Sequence, residues 1–371
     1  TELRTELRSL IMECLIRDPA GRPSAAEVCQ RLSVMLSGGR EIEGDQRPFR
    51  GLLAFDEEHR DFFFGRDAEI AAFLERLRLQ PVLPLVGPSG IGKSSFIQAG
   101  IIPRLREWGP LYVIRMRPGR QPFVILANRL ISARRQIVTS RTSLRELAEE
   151  DEPLDELPVL RVLPDEEEQE IFLPTWSDGS GARLWPGSVP QDVSITSLNT
   201  QEEALQLAAQ LEAIPAILNL YLAELSELAE ARIVLFVDQL EELNTLGTQP
   251  DKQRAFMQAI CNAADDPEAL SRVIFTLREE FLSRLALGRD IEGCLSHIAV
   301  LRRPSTGSLS DILLCPVEAV GYRYEDSAMV TDMLEEIENQ VACLPMVQFA
   351  GDILWEERDR ERRVLTRKAY H

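Results

Sequence analysis

The stretch Val82-Leu83-Pro84-Leu85-Val86-Gly87-Pro88-Ser89-Gly90-Ile91-Gly92-Lys93-Ser94 decides how this chain is read. Its first five residues are a short apolar run bounded by turn formers, the pattern of a buried strand. Gly87 to Ser94 then fits G-x-x-x-x-G-K-[ST]. Glycines in such a loop let successive backbone N–H groups turn inward around an anion. A helix opening at Lys93 would point its positive end at the same anion. Lys93 would neutralise β- and γ-phosphates, and the Ser94 hydroxyl would ligate Mg²⁺. The expected phosphate cradle is Gly87, Pro88, Ser89, Gly90, Ile91, Gly92, Lys93, Ser94 and Ser95. Pro84 is out of place, because proline brings no N–H to a central strand.

Working outward, the next strand candidate is Leu111–Met116, and the partner motif is Ile233-Val234-Leu235-Phe236-Val237-Asp238. An aspartate at the C-terminal end of a buried parallel strand sits in the ligand crevice, so Asp238 is the expected second Mg²⁺ ligand, acting through water. Gln239-Leu240-Glu241-Glu242 follows. Glu241 or Glu242 could orient or deprotonate an attacking water; the alternative is a charged first helical turn favoured by the macrodipole. Val273–Thr276 ends at the same crevice and leads to Arg278, a cation suited to reading a γ-phosphate, unless it pairs with Glu279 or Glu280. His297–Leu301 is a fifth strand candidate, and Asp67–Leu79 and Asp251–Ala263 read as helices. Strands alternating with helices predict an α/β fold with a parallel sheet covered on both faces.

The net charge of −19 argues against a nucleic-acid partner, which needs a basic footprint. Most of that acidity is local: Glu146 to Glu170 holds twelve acids and one arginine, a balance of −11. Residues 140–197 therefore read as an acidic, partly disordered insertion. Thr200 and Glu203 form a capping box that would open the next helical stretch, broken at Pro215. Six cysteines without a CxxC, and only three histidines, imply neither a zinc site nor a disulfide framework, as expected of a cytoplasmic protein. No apolar run is long enough to span a bilayer. The chain opens on Thr1, which reads as a piece of something longer.

Residues 10–32, LIMECLIRDPAGRPSAAEVCQRL, resemble the C-terminal end of a Ser/Thr protein kinase domain, above all in DPAGRPS. In that family the arginine at the Arg22 position pairs with a buried glutamate. The kinase catalytic loop, the metal-binding motif and the lysine strand are absent from this chain, so kinase activity is not expected of it. Residues 1–37 are thus read as the last helices of a kinase-like domain, and 38–47 as a linker.

From Pro48 on, the chain resembles the novel STAND NTPases, P-loop signal-transduction ATPases. The resemblance is carried by PFRGLLAFDEEHRDFFFGRDAEI, LVGPSGIGKSSFIQAGIIPRL, VLFVDQLEEL, VIFTLREEFLSRL and LPMVQFAGDILWEERD. It implies a P-loop NTPase domain over 48–320 with sheet order 5-1-4-3-2. It also implies a helical lid over 321–371 leading into a winged-helix region. It implies ATP/ADP and Mg²⁺ as ligands, with Phe64-Gly65-Arg66 flanking the adenine and Pro345 of the lid packing on the base. The residues alone read Pro345 as the first residue of a helix. Protein partners through further domains and an ATP-dependent homo-oligomer are implied as well. One departure stands out: many related ATPases carry the catalytic glutamate directly after the acidic strand end, where this chain has Gln239. The function expected is a regulatory ATPase switch linked to a Ser/Thr kinase. The alternatives are a nucleotide-clamped scaffold, or a fragment whose output is the kinase activity of a longer protein.

Overall fold

The computed structural model describes residues 46–149, 195–264, 266–282, 297–337, 340 and 342–370, with positions 10, 12–14, 22, 23 and 28 before them. The kinase-like reading of 1–37 and the heart of the acidic stretch, 150–194, fall largely or wholly outside the described residues. The chain divides into two compact units. One holds 72–88 and 104–301; the other holds 1–71, 89–103 and 302–371.

The first unit is built on a five-stranded sheet: β1 (Val82–Val86), β2 (Leu111–Met116), β3 (Arg232–Val237), β4 (Ser271–Leu277) and β5 (Ala299–Val300). Every pairing is parallel. The order is β2-β3-β4-β1-β5, which counted from the opposite edge is β5-β1-β4-β3-β2. Val86 is level with Leu277, Met116 with Val237, and Val237 with Phe275, so the strands end along one edge. β1 is buried throughout, and β3 from Ile233 to Val237, as expected for strands covered on both faces. Leu126, Leu130, Leu211, Leu218, Leu222 and Phe256 supply helical cover and join Leu235, Val237, Val273 and Phe275 in one core.

Pro84 is explained by where β5 begins. The backbone groups of alternate residues in a parallel strand face the same neighbour. Val86 faces β5, accepting from Leu301 N at 2.8 Å, so Pro84 faces that side too. β5 pairs only with Leu85 and Val86. The missing N–H therefore lies where the ladder has not yet started.

The helices of this unit adjust two expectations. α4 (Pro122–Glu149; α1 to α3 are placed below) runs well into the segment predicted as an insertion. α5 (Ile195–Ala213) starts five residues before Thr200, so Thr200 lies inside a helix rather than capping one. The break at Pro215 is present, with α6 (Ile217–Ala229) beyond it. α7 (Glu242–Thr245) and α8 (Pro250–Cys261) follow β3, the latter with proline at its first position.

The second unit gathers three separate stretches around Phe49, Phe55, Phe62, Leu313, Val347 and Trp355. α1 (Asp67–Leu79) crosses the boundary between the units. Past the glycine-rich loop lies α2 (Lys93–Ser95), then a π-helical segment (Phe96–Ile101), then α3 (Ile102–Arg106). Pro103 accounts for the widened turn. A proline ring clashes with the carbonyl four residues back, and an extra residue per turn relieves that clash. Gly100 allows the close approach of Ile70 and Phe63, whose carbons lie 3.0 and 3.1 Å from where a Cβ would stand.

α9 (Thr306–Ala319), capped by Ser305, buries Leu309, Leu313 and Val317 among residues of α10 (Ser327–Ile337) and α11 (Cys343–Glu356). The compact unit takes in the chain from 302 on, and the apolar stripe of α9 completes its core. β6 (Arg323–Tyr324), β7 (Val364–Leu365) and α12 (Arg367–Tyr370) close the unit. Phe49 packs flat on Gly351 of α11, where an added Cβ would come within 2.6 Å of the ring.

Candidate nucleotide-binding site

The glycine-rich loop leaves β1 in the sheet-bearing unit, where Gly87 N donates to Leu277 O at 3.2 Å and extends the ladder by one residue. Gly87 is buried and Pro88 half-buried.

The rest of the loop belongs to the other unit. Gly90 and Gly92 hold φ of +72° and +85°, a region that glycine enters without cost. Gly92 caps α2. A Cβ on Gly90 would stand 3.0 Å from Ala342 Cβ and 3.4 Å from Pro345 Cγ. One on Gly92 would stand 3.2 Å from Leu344 Cδ1. The first turn of α11 therefore rests on the loop glycines. Pro345 is the third residue of α11 rather than the first, still within the turn whose N–H groups lack helical partners.

Behind the loop, Arg66 is 3% exposed. Its guanidinium donates to Ile91 O at 3.2 Å, to Arg302 O at 2.8 Å and to Glu69 at 2.9 Å. Its fork is spent on tying the loop to the chain, so Arg66 supports the cradle from the protein side. Gly65 (φ +75°) lies so close to α9 that a Cβ would be 2.5 Å from Ser308 O, and Phe64 beside it is half-buried. The Ser95 hydroxyl accepts from Phe55 N at 3.1 Å. Lys93 and Ser94 are half-buried, Ile91 is buried and Ser89 is exposed.

In the sheet-bearing unit, Asp238 follows β3 and is 4% exposed. Asp238 Oδ1 accepts from the Thr276 hydroxyl at 2.5 Å, and its Oδ2 lies 3.9 Å from Arg117 Nη2. Gln239 takes φ +53°. The turn it forms brings Glu241 against Arg278: Arg278 Nε lies 3.0 Å from Glu241 Oε1, and Arg278 N donates to Glu241 Oε2 at 3.3 Å. Arg278 thus pairs with Glu241 instead of the adjacent Glu279 or Glu280. Glu242 accepts from Gly119 N at 3.0 Å, which anchors the loop after β2. The structure pairs Glu241 with Arg278, sets Asp238 against Thr276 and Arg117, and turns Glu242 to Gly119. It adds Thr276 and Arg117, which the sequence reading missed. Their signal was positional, each lying at the C-terminal end of a predicted strand.

The donor chemistry fits Mg²⁺. The Asp238 carboxylate is a hard oxygen ligand of the kind this ion takes when phosphates and water complete its shell. Among the described residues no group of three or more His, Cys, Asp or Glu could form a metal cage. Cys343 is a buried thiol, and Cys14, Cys261 and Cys315 are partly buried thiols.

A parallel sheet of this order, with a phosphate loop after β1 and an acidic end to β3, defines a P-loop NTPase. A family model described as Novel STAND NTPase 1 matches residues 48–371, and the chain belongs to that family. No curated protein matches it. Two solved structures are similar. The Walker-type ATPase PABY2304 of Pyrococcus abyssi is 14% identical, over 85% of this chain and 73% of that one, with a TM-score of 0.44. The Orc1 protein of Aeropyrum pernix, solved in complex with DNA, is 12% identical over 83% of this chain and 64% of that one, with a TM-score of 0.45. Among the described residues no helix is long and apolar enough to cross a membrane.

Proposed function

We propose that this chain is the nucleotide-operated switch of a signalling ATPase, binding ADP or ATP with Mg²⁺. The observation that carries the proposal is the seat of α11 on the phosphate loop, with Ala342, Leu344 and Pro345 against Gly90 and Gly92. A helix resting on the loop that holds a nucleotide feels changes at that loop.

In this reading Lys93 neutralises the phosphates, and Ser94 with Asp238 holds the Mg²⁺ ion. The ion, when bound, offsets phosphate charge. With ADP, Arg278 stays on Glu241 and the lid stays on the loop. With ATP, Arg278 exchanges Glu241 for the γ-phosphate, and Glu241 is released to orient water. The difference in contacts between the two nucleotides supplies the bias between states. Coupling of the open state to self-assembly, protein partners and a Ser/Thr kinase belongs to the same proposal. The kinase link is supported by the DPAGRPS stretch.

The test is binding of a fluorescent ADP and of a non-hydrolysable ATP analogue, with amide exchange measured over residues 343–356. We expect Lys93→Ala to abolish binding, and the two nucleotides to protect α11 differently. Unchanged binding in Lys93→Ala, or identical protection, refutes the switch.

A second reading, a nucleotide clamp with little turnover, is favoured by the engagement of Glu241 with Arg278 and by Gln239 after Asp238. A steady-state phosphate-release rate that falls in Glu241→Gln rejects the clamp.

A further inference from the structure

Thr276 is the one residue of Val273–Leu277 with a polar side chain, and it is fully buried. A buried hydroxyl without partners is costly, and valine would fill the same space in a strand more comfortably. Packing therefore gives no reason for a hydroxyl here.

Its bonds do. The hydroxyl donates to Asp238 Oδ1 at 2.5 Å and accepts from Gln239 N at 2.8 Å. The Thr276 carbonyl accepts from Leu240 N at 2.9 Å. Three successive residues after β3 are thus pinned to one residue of β4. The middle one, Gln239, sits at φ +53°, where a non-glycine residue needs its surroundings to hold it. The hydroxyl bond occupies one carboxylate oxygen and fixes the plane of the group, leaving Oδ2 on the side of Arg117 Nη2.

We infer that Thr276 is a positioning residue: through its hydroxyl it orients the Asp238 carboxylate for the Mg²⁺ ion that accompanies the nucleotide. The inference rests on the nucleotide-binding reading above. Groups that orient a metal ligand from behind change metal affinity by roughly tenfold or more when removed.

The experiment compares wild type, Thr276→Val, Thr276→Ser and Thr276→Ala by titration with fluorescent ADP, with Mg²⁺ present and then with it chelated. The readout is the ratio of the two affinities. We expect the ratio to fall about tenfold in Thr276→Val and to be restored in Thr276→Ser, with affinity in chelator unchanged. A wild-type ratio in Thr276→Val overturns the inference. So does an equal fall in Thr276→Ser, or a matching loss in chelator, which would mark a structural role. Should the valine variant not fold, the serine and alanine variants, which differ by the hydroxyl alone, make the same comparison. The two readings fail separately. A wild type that binds no ADP, or binds it equally well without Lys93, removes the nucleotide reading and the inference with it. Tight ADP binding with an Mg²⁺ ratio indifferent to residue 276 removes only the inference.

Discussion

Gly351 should resist a substitution that helix propensity favours. It lies inside α11, and replacing an interior helical glycine with alanine ordinarily gains about 1 kcal/mol. Here the new Cβ would stand 2.6 to 2.7 Å from three carbons of the Phe49 ring, and Phe49 is 1% exposed, with no room to retreat. Overpacking of that kind costs roughly 1–3 kcal/mol, so Gly351→Ala should lose about 1 kcal/mol overall. Phe49→Ala alone should cost about 3–5 kcal/mol. Once the ring is gone, only the propensity gain remains. Gly351→Ala made in the Phe49→Ala background should therefore stabilise by up to about 1 kcal/mol. The sign reverses between backgrounds, giving a coupling of about 2 kcal/mol. Urea unfolding of the four proteins, followed by circular dichroism and tryptophan fluorescence, measures it. A stabilising effect of Gly351→Ala with Phe49 in place would refute the packing argument.

Three further outcomes follow from the same geometry. Arg278→Ala leaves the buried Glu241 carboxylate with a lost partner, and should cost about 1–2 kcal/mol in a thermal melt, less than for a fully buried pair because Arg278 is 41% exposed. Arg66→Lys keeps the charge but not the three-way fork, so a loss of about 2 kcal/mol and weaker ADP binding are expected, read by melting and titration. Burial pushes the Tyr112 phenol from 10.0 up to about 12. Between those values the unfolded chain releases this proton while the folded one keeps it. Stability should therefore be full below pH 10 and fall as the pH rises towards 12. Urea midpoints at stepped alkaline pH should show a shallower fall in Tyr112→Phe.

The parts of the fold legible in the sequence were those written in local pattern. β1 and β2 match their apolar runs to the residue, because each is largely buried and a turn former follows within two residues of its end. β3 and β4 extend beyond their apolar runs, through Arg232 at one end and through Ser271, Arg272 and Leu277 in the other strand. These end residues, most of them polar, qualify as strand by pairing with neighbours, which composition does not record. The π-helical segment was hidden for a similar reason: it answers a clash at Pro103 that exists only once a helix is assumed. At the site, residue type and spacing named Asp238, Glu241 and Arg278. They could not say that Glu241 and Arg278 hold each other, that Glu242 turns to Gly119, or that Arg66 is consumed behind the loop. Such pairings depend on which chain segments the sheet and the helices bring together.

The bonds of Arg66 bear on when the protein becomes able to do anything. Ile91 follows Arg66 by 25 residues, but Arg302 lies 236 residues away. The unit that holds most of the phosphate loop also takes its core from residues 302 onward. A chain emerging from the ribosome presents the loop well before Arg302, and must wait for that later segment before the bracing carbonyl arrives. Contacts that span such separations form late. An unfinished or prematurely terminated polypeptide would thus carry the full phosphate-binding signature with its cradle unbraced, and quality control would have a long interval in which to find it.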